Sequence, residues 1–188
     1  MSNETNALGA AVLEITEAIR AVCSDPADAV RLLSRLATYT VATSGTTAPI
    51  GAAIATVQSA ASALCRRAAL VSLAKACAEY NPASYEDAAA LRTAVSALFD
   101  AEILNAGSGS EGQAYLALRR LQAAVIEDLS ERGGKASRLR TVTSTEPLPS
   151  LVLAYQLYDD ATRADELAIR TGAPHPGFMP REFRALAG

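Results

Sequence analysis

The sequence predicts a mainly α-helical protein: an antiparallel bundle of about five helices followed by a small βααβ module. Three observations predict it. Half of the 188 residues are hydrophobic, yet only 5% are aromatic and there is no Trp. Apolar residues recur three or four apart through most of the first 130 positions. β-branched residues alternate only after Gly133–Gly134, so we expect an Ala-rich helical bundle over residues 1–134 and a small module over 135–188.

The charge and the composition exclude several classes of function. Seventeen Lys and Arg residues stand against twenty Asp and Glu residues, which gives a net charge of −3. This balance argues against a protein that coats nucleic acid by charge alone. Three Cys residues and one His residue leave little material for a metal site or for His-based catalysis. We therefore expect no enzyme activity and no cofactor.

Two helices are predicted at the start of the chain. Residues 6–23 form the first, because their apolar side chains fall three or four apart on one face. Asp25 is expected to cap the second helix, and Pro26 suits its first position. The apolar residues on the face of the first helix are Leu8, Val12, Ile15, Ile19 and Val22.

A long helix is predicted from Pro49 to about Tyr80. Its alanines bury little area each, so it needs neighbours on more than one side. Its most apolar stretch, residues 48–64, is interpreted as a packed helix rather than a membrane span, because alanine contributes little transfer energy. The N-terminus has no basic region before its apolar run and carries Glu4, so no signal peptide is predicted.

Two further helices complete the predicted bundle. Ser84 is expected to cap the first, with Asp87 three residues later. An interruption is predicted at residues 107–110, after which Ser110 starts the last helix. The glycine pair Gly133–Gly134 is expected to end that helix.

The C-terminal module reads as strand, helix, helix, strand. Residues 139–143 alternate as in a strand, and Ser150 is expected to cap a short helix over 151–158. Asp159–Asp160 breaks the chain before a second helix over 161–170, for which Thr162 and Asp165 have capping-box spacing. A proline-bounded loop then leads to a last strand at 182–186.

Three runs of residues in this module are similar to a known protein family. The run Leu148–Tyr158, then Asp160–Leu167, then His175–Phe178 resembles the C-terminal end of the Mu-like phage DNA circularisation protein family, whose members are tail and baseplate components. The layout also resembles a LysM-like βααβ module. Asp159 stands where that family usually has Gly. The family's N-terminal domain has no counterpart here, so the resemblance implies a C-terminal fragment or a shortened relative.

The resemblance implies a structural role in the virion. The protein would be assembled in the cytoplasm of the host bacterium and would sit in a tail or baseplate, as a homo-oligomer in contact with other tail proteins and associated with DNA circularisation or delivery. The residues expected to contact a partner lie in the C-terminal module. They are Tyr155, Tyr158, Arg163, His175 and Phe178.

The aromatic residues of the module admit two interpretations. Tyr155, Tyr158, Phe178 and Phe183 could form its core, since so short a unit needs aromatic side chains to bury enough area. They could instead present a surface that stacks on a sugar or docks a protein. The sequence leaves both open.

Groups that could carry chemistry have simpler interpretations. His175 lies between two prolines with no nucleophile beside it. The acidic cluster at 159–166 lacks the spacing of a calcium loop and fits helix capping. A basic run could contact DNA phosphates or an acidic partner, and a solvated linker or a protein contact is favoured because no aromatic residue lies within it. Its members are Arg132, Lys135, Arg138 and Arg140.

Three functions therefore compete. The first is a non-enzymatic virion protein, which predicts exposed apolar helix faces in the isolated chain. The second is a peptidoglycan-binding module, which needs a shallow groove beside the short helices. The third is direct DNA binding, which requires salt-dependent affinity carried by the basic run.

Overall fold

The computed structural model describes residues 2–42, 48–109 and 111–187. It is mainly helical with a small antiparallel sheet near the C-terminus, which confirms the predicted class. The elements in chain order are α1 (Ser2–Val22), α2 (Pro26–Leu36), α3 (Pro49–Glu79), α4 (Tyr85–Ser108), α5 (Gly112–Lys135), β1 (Leu139–Thr143), α6 (Ser150–Tyr158), a 3₁₀ turn (Ala161–Arg163), α7 (Ala164–Thr171) and β2 (Glu182–Leu186).

The chain divides into two compact units. The first, called the helical unit here, comprises Met1–Asn81 and Ala89–Glu131. The second, called the C-terminal unit, comprises Pro82–Ala88 and Arg132–Gly188. No helix in the described part of the chain combines the length and the apolar character needed to cross a bilayer.

The core of the helical unit is aliphatic around one aromatic side chain. Phe99 of α4 is fully buried, as are Leu33, Leu70, Leu73 and Leu129 of the neighbouring helices. Alanines such as Ala69 and Ala76 fill the remaining positions, which lets the helices approach closely. On α4 the buried side chains also include Val95 and Ile103, on the same side of the helix as Phe99.

Polar contacts define the directions of the helices. Thr16 of α1 bonds to Ser72 of α3, and Arg20, one turn later, bonds to Glu79. Partners advance together, so α1 and α3 run in the same direction. Between α4 and α5 the order reverses, since Arg92 bonds to Ser130 and Gln122 bonds back to Asp100, and these two helices are antiparallel.

The long helix α3 was predicted correctly in extent, but its two halves differ. Positions 68–77 are largely buried in the core. Positions 50–61 are mostly exposed, with Gly51 as the buried exception. Within the described residues, the expectation of neighbours on more than one side therefore holds for the second half of α3 only.

The interruption predicted at residues 107–110 is confirmed, because α4 ends at Ser108 and α5 begins at Gly112, but neither Gly107 nor the Gly133–Gly134 pair is itself the end of a helix. α4 continues through Gly107 to Ser108, and α5 continues through Gly133 and Gly134 to Lys135. Gly107 lies where a β-carbon would touch the ring of Tyr115, and Gly133 lies against Ala88. Close packing therefore requires glycine at position 133, whereas a β-carbon at position 107 would make an ordinary van der Waals contact. The predicted helix start at Ser110 lies outside the described residues.

The C-terminal unit has the predicted βααβ order. β1 and β2 pair in antiparallel fashion with Val142 opposite Phe183. Leu153, Leu167, Met179 and Phe183 form a separate small core beneath this sheet.

Two caps in this unit differ from the prediction. Ser150 is the first residue of α6 and does not cap it, because Pro149 occupies the cap position; the Ser150 N–H donates to the Pro176 carbonyl at 2.7 Å. The second helix is preceded by a 3₁₀ turn whose cap is Asp160, since the Thr162 N–H donates to its carboxylate at 2.9 Å. The Ser84 cap is confirmed: its hydroxyl accepts from the Asp87 N–H at 3.1 Å.

Candidate functional site

Two of the predicted partner residues are in direct contact. The guanidinium of Arg163 lies 3.9 Å from the centroid of the Tyr158 ring, as in a cation–π pair. Arg163 Nε also donates to Glu166 at 2.9 Å. The hydrogen bond to Glu166 is the main cause that raises the pKa of Arg163, so the stacked group stays cationic. The hydroxyl of Tyr158 accepts from the Leu186 N–H at 3.1 Å, which joins α6 to β2.

A tight turn holds His175 and Phe178. The Gly177 N–H donates to His175 Nδ1 at 2.9 Å, and the Phe178 N–H donates to the His175 carbonyl at 3.0 Å. Met179, the next residue, is buried, and its N–H donates to Leu148. These hydrogen bonds fix the backbone at Phe178, and the residue is 71% exposed.

The aromatic residues of the C-terminal unit divide between core and surface. Phe183 is buried and Tyr158 is half-buried. Tyr155 and Phe178 are exposed, so they do not belong to the small core. Tyr155 shares the outer side of α6 with other exposed apolar residues, Leu151 and Val152. This distribution leaves two aromatic side chains available for a partner.

The four residues of the basic run lie in different settings. Arg132 and Lys135 occupy the last turn of α5. Arg138 stacks over the Tyr85 ring at 4.4 Å from its centroid. Arg140 lies on β1, opposite Ala185. The Arg138–Tyr85 stack gives this arginine a structural partner within the unit.

The acidic cluster works as a cap. Asp160 accepts from both the N–H and the hydroxyl of Thr162, and these two hydrogen bonds are the main cause that lowers its pKa. Asp159 ends α6 in the left-handed conformation with φ 55°. Across the described ranges, His, Cys, Asp and Glu side chains form no group of three that could hold a metal ion.

The helical unit exposes apolar side chains on α1 and on the first half of α3. On α1 the exposed fractions are 57% for Leu8, 60% for Ile15 and 85% for Val22. On the first half of α3, Ile50, Ile54 and Val57 are exposed and line a shallow cleft of about 530 Å³. Exposed apolar side chains grouped in this way are typical of interaction surfaces.

A polar cleft of about 640 Å³ lies on the other side of α3. Arg66 and Arg67 line it, and their Nε atoms donate to the buried carboxylate of Glu102 at 2.7 Å and 2.8 Å. Arg67 also bonds to the exposed Glu111. Burial lowers the pKa of Arg67, but the hydrogen bonds to Glu111 and Glu102 outweigh it and the pKa is raised. The four charges balance, so the cleft has no net preference for an anion.

The charged residues beside the polar cleft were not predicted from the sequence, because each is recognised only through its contact with a residue far away in the chain. Glu102 is 36 residues from Arg66, and no local pattern reports such a pair. The exposed positions on α1 do carry a signal, since Leu8, Ile15 and Val22 are spaced by seven residues.

Comparison with known proteins gives no match. No protein-family model matches the chain, and no curated protein matches it.

Proposed function

We propose that this chain is a non-enzymatic structural protein of a Mu-like phage tail or baseplate, which assembles with other tail proteins and is associated with DNA circularisation or delivery. The observation that carries the proposal is the apolar surface of the helical unit. Between positions 50 and 61, the first half of α3 exposes three large aliphatic side chains and has no charged residue. Such a surface needs cover from other subunits.

The C-terminal unit supports the same role. Phe178 and Tyr155 are exposed, and the hydrogen bonds of the 175–178 turn fix the backbone at Phe178 before any partner binds. A backbone that is already fixed lowers the conformational entropy lost on binding, and aromatic residues are enriched at the centres of interfaces. The residues quoted for the resemblance to the phage family lie in this unit.

The test is whether the full chain is a component of assembled tails. The chain is produced together with the tail proteins of a Mu-like phage, and tails are purified on a density gradient. We expect the chain in the tail fraction at a fixed ratio to the other subunits, and we expect Ile54→Glu or Phe178→Ala to reduce that ratio. A matched control is Leu104→Glu, which changes an exposed leucine on α4. A tail fraction without the chain would refute the proposal.

Peptidoglycan binding is the second candidate, favoured by the βααβ order and the antiparallel β1–β2 pair of the C-terminal unit. The readout is retention of the full chain on purified cell-wall sacculi. Retention that depends on Phe178 or Tyr155 would favour this candidate over tail assembly. No retention would remove it.

A further inference from the structure

The contact that α1 makes with α3 is polar at its centre. Thr16 is 1% exposed, and its hydroxyl lies 2.8 Å from the Ser72 hydroxyl. Glu17 accepts from Ser72 at 2.6 Å and pairs with Lys75 at 3.2 Å. An amphipathic helix normally buries its apolar side chains. Here the helix buries a threonine and leaves Leu8, Ile15 and Val22 exposed.

The outer side of α1 is almost free of charge. From residue 6 to residue 22, Asn6 and Glu14 are the polar members of the exposed set. The large exposed residues are seven apart, and alanines lie between them. We call this set the α1 stripe, and it consists of Leu8, Ala11, Ile15, Ala18 and Val22.

We propose that the α1 stripe pairs with the α1 stripe of a second copy of this chain, with the two helices antiparallel about a two-fold axis at Ile15. This rests on the proposed role in assembly and names one of the contacts. A seven-residue spacing of apolar side chains is the pattern by which one helix packs along another. An uncharged stripe requires an uncharged partner surface, and a second copy supplies one.

The order of side-chain sizes favours the antiparallel arrangement. The stripe reads large, small, large, small, large, and it is symmetric about Ile15. In a two-fold pair centred at Ile15, Leu8 is level with Val22 of the second copy and Ile15 with itself, while Ala11 lies one residue away from the level of Ala18. A parallel pair would align both helix dipoles and place the two Glu4 side chains together, which is less favourable.

The first experiment measures the mass of the full chain by sedimentation equilibrium over a wide concentration range. We expect a monomer–dimer equilibrium that Ile15→Glu weakens at least tenfold. Ile169→Glu is the matched control, because Ile169 is also an exposed isoleucine but lies on α7. Circular dichroism confirms that each variant is folded. A chain that stays monomeric, or a dimer that Ile15→Glu leaves intact, would overturn the proposal.

The second experiment tests the direction of the pair. Leu8→Cys and Val22→Cys chains are mixed and treated with a short bifunctional thiol reagent. The linked peptides are identified by mass spectrometry. The unsubstituted chain is the control, because it has Cys23, Cys65 and Cys77. We expect links between position 8 of one copy and position 22 of the other. Links between two copies of position 8 would overturn the antiparallel arrangement.

The two proposals fail separately. A monomeric chain that still enters tails would refute the second-copy contact and leave the assembly role intact. A dimeric chain that is absent from tails would refute the assembly role.

Discussion

Gly133 packs so closely against Ala88 that a β-carbon added at position 133 would lie 2.6 Å from the Ala88 β-carbon. The next residue, Gly134, has nothing within 4 Å of the same position. Two consecutive glycines of one helix therefore have different reasons to be glycine.

The first prediction uses this pair. Gly133→Ala should lower the free energy of unfolding by about 1–3 kcal/mol, because the added methyl overpacks the contact. Gly134→Ala should raise it by about 0.5–1 kcal/mol, because alanine is the better helix former. Denaturant titrations measure both. Combining Gly133→Ala with Ala88→Gly should recover most of the loss, and a double variant as unstable as the single one would contradict the contact.

The second prediction concerns the buried carboxylate of Glu102. Glu102→Gln removes the negative charge shared by Arg66 and Arg67, and it should cost about 3 kcal/mol of unfolding free energy. Glu111→Gln, at the exposed end of the same network, should cost less than about 1 kcal/mol. Equal losses for the two variants would show that burial of Glu102 has no energetic role.

The third prediction concerns acid. Burial raises the pKa of Glu17, but hydrogen bonds from Ser72, Lys75 and Arg20 outweigh it, and the pKa lies below its ordinary value. A carboxylate with a lowered folded-state pKa stabilises the fold above its unfolded-state pKa, and this contribution is lost as the pH falls through the folded-state value. Unfolding of the wild type and of Glu17→Gln should therefore differ at pH 7 and converge below about pH 4. A difference that does not change with pH would exclude the ionised carboxylate as its source.

The fourth prediction compares two helices that each end at a residue in the left-handed backbone conformation. Gly172 ends α7 with φ 62°, and Asp159 ends α6 with φ 55°. Gly172→Ala should destabilise the chain by about 1 kcal/mol, because a β-carbon disfavours this conformation. Asp159→Gly should stabilise it by a few tenths of a kcal/mol, since glycine adopts the conformation freely. Thermal unfolding shows both signs, and a destabilising Asp159→Gly would mean that the aspartate side chain has another role.

The fifth prediction separates the two tyrosines of α6. Tyr158→Phe removes the hydroxyl that accepts from the Leu186 N–H, and it should cost about 1 kcal/mol. Tyr155 is exposed, so Tyr155→Phe should leave stability unchanged and serves as the control. Hydrogen exchange at the Leu186 amide should also become faster in Tyr158→Phe alone. An unchanged rate would contradict the bond.

Elements with local signals were predictable. Asp25 and Pro26 fix the start of α2 through a cap and a preset φ angle, and the structure has both. The strand β1 was placed at its observed bounds because alternating, β-branched residues mark it, and β2 was placed at its observed bounds after the proline-bounded loop. Such signals act within a few residues and need no knowledge of the tertiary fold.

The candidate surfaces depended on distant partners. Which side of α1 is buried is decided by Ser72, 56 residues away from Thr16. Glycine at position 133 is explained by its close contact with Ala88 of another helix, not by the end of α5. The cap after α6 is Asp160 rather than Thr162, because the Asp160 carboxylate accepts from both the N–H and the hydroxyl of Thr162.

The bond between Thr16 and Ser72 has a mechanical consequence. Contacts between apolar side chains persist when two helices shift along each other, but the 2.8 Å hydrogen bond between the Thr16 and Ser72 hydroxyls requires one axial position and one rotation of α1 relative to α3. Adding one residue to α1 ahead of Thr16 would rotate every preceding side chain by about 100° about the helix axis, while the Thr16–Ser72 hydrogen bond held the remainder of the helix in place. Length changes in this segment should therefore be far more damaging than substitutions, whereas the connection between α1 and α2 should accept them.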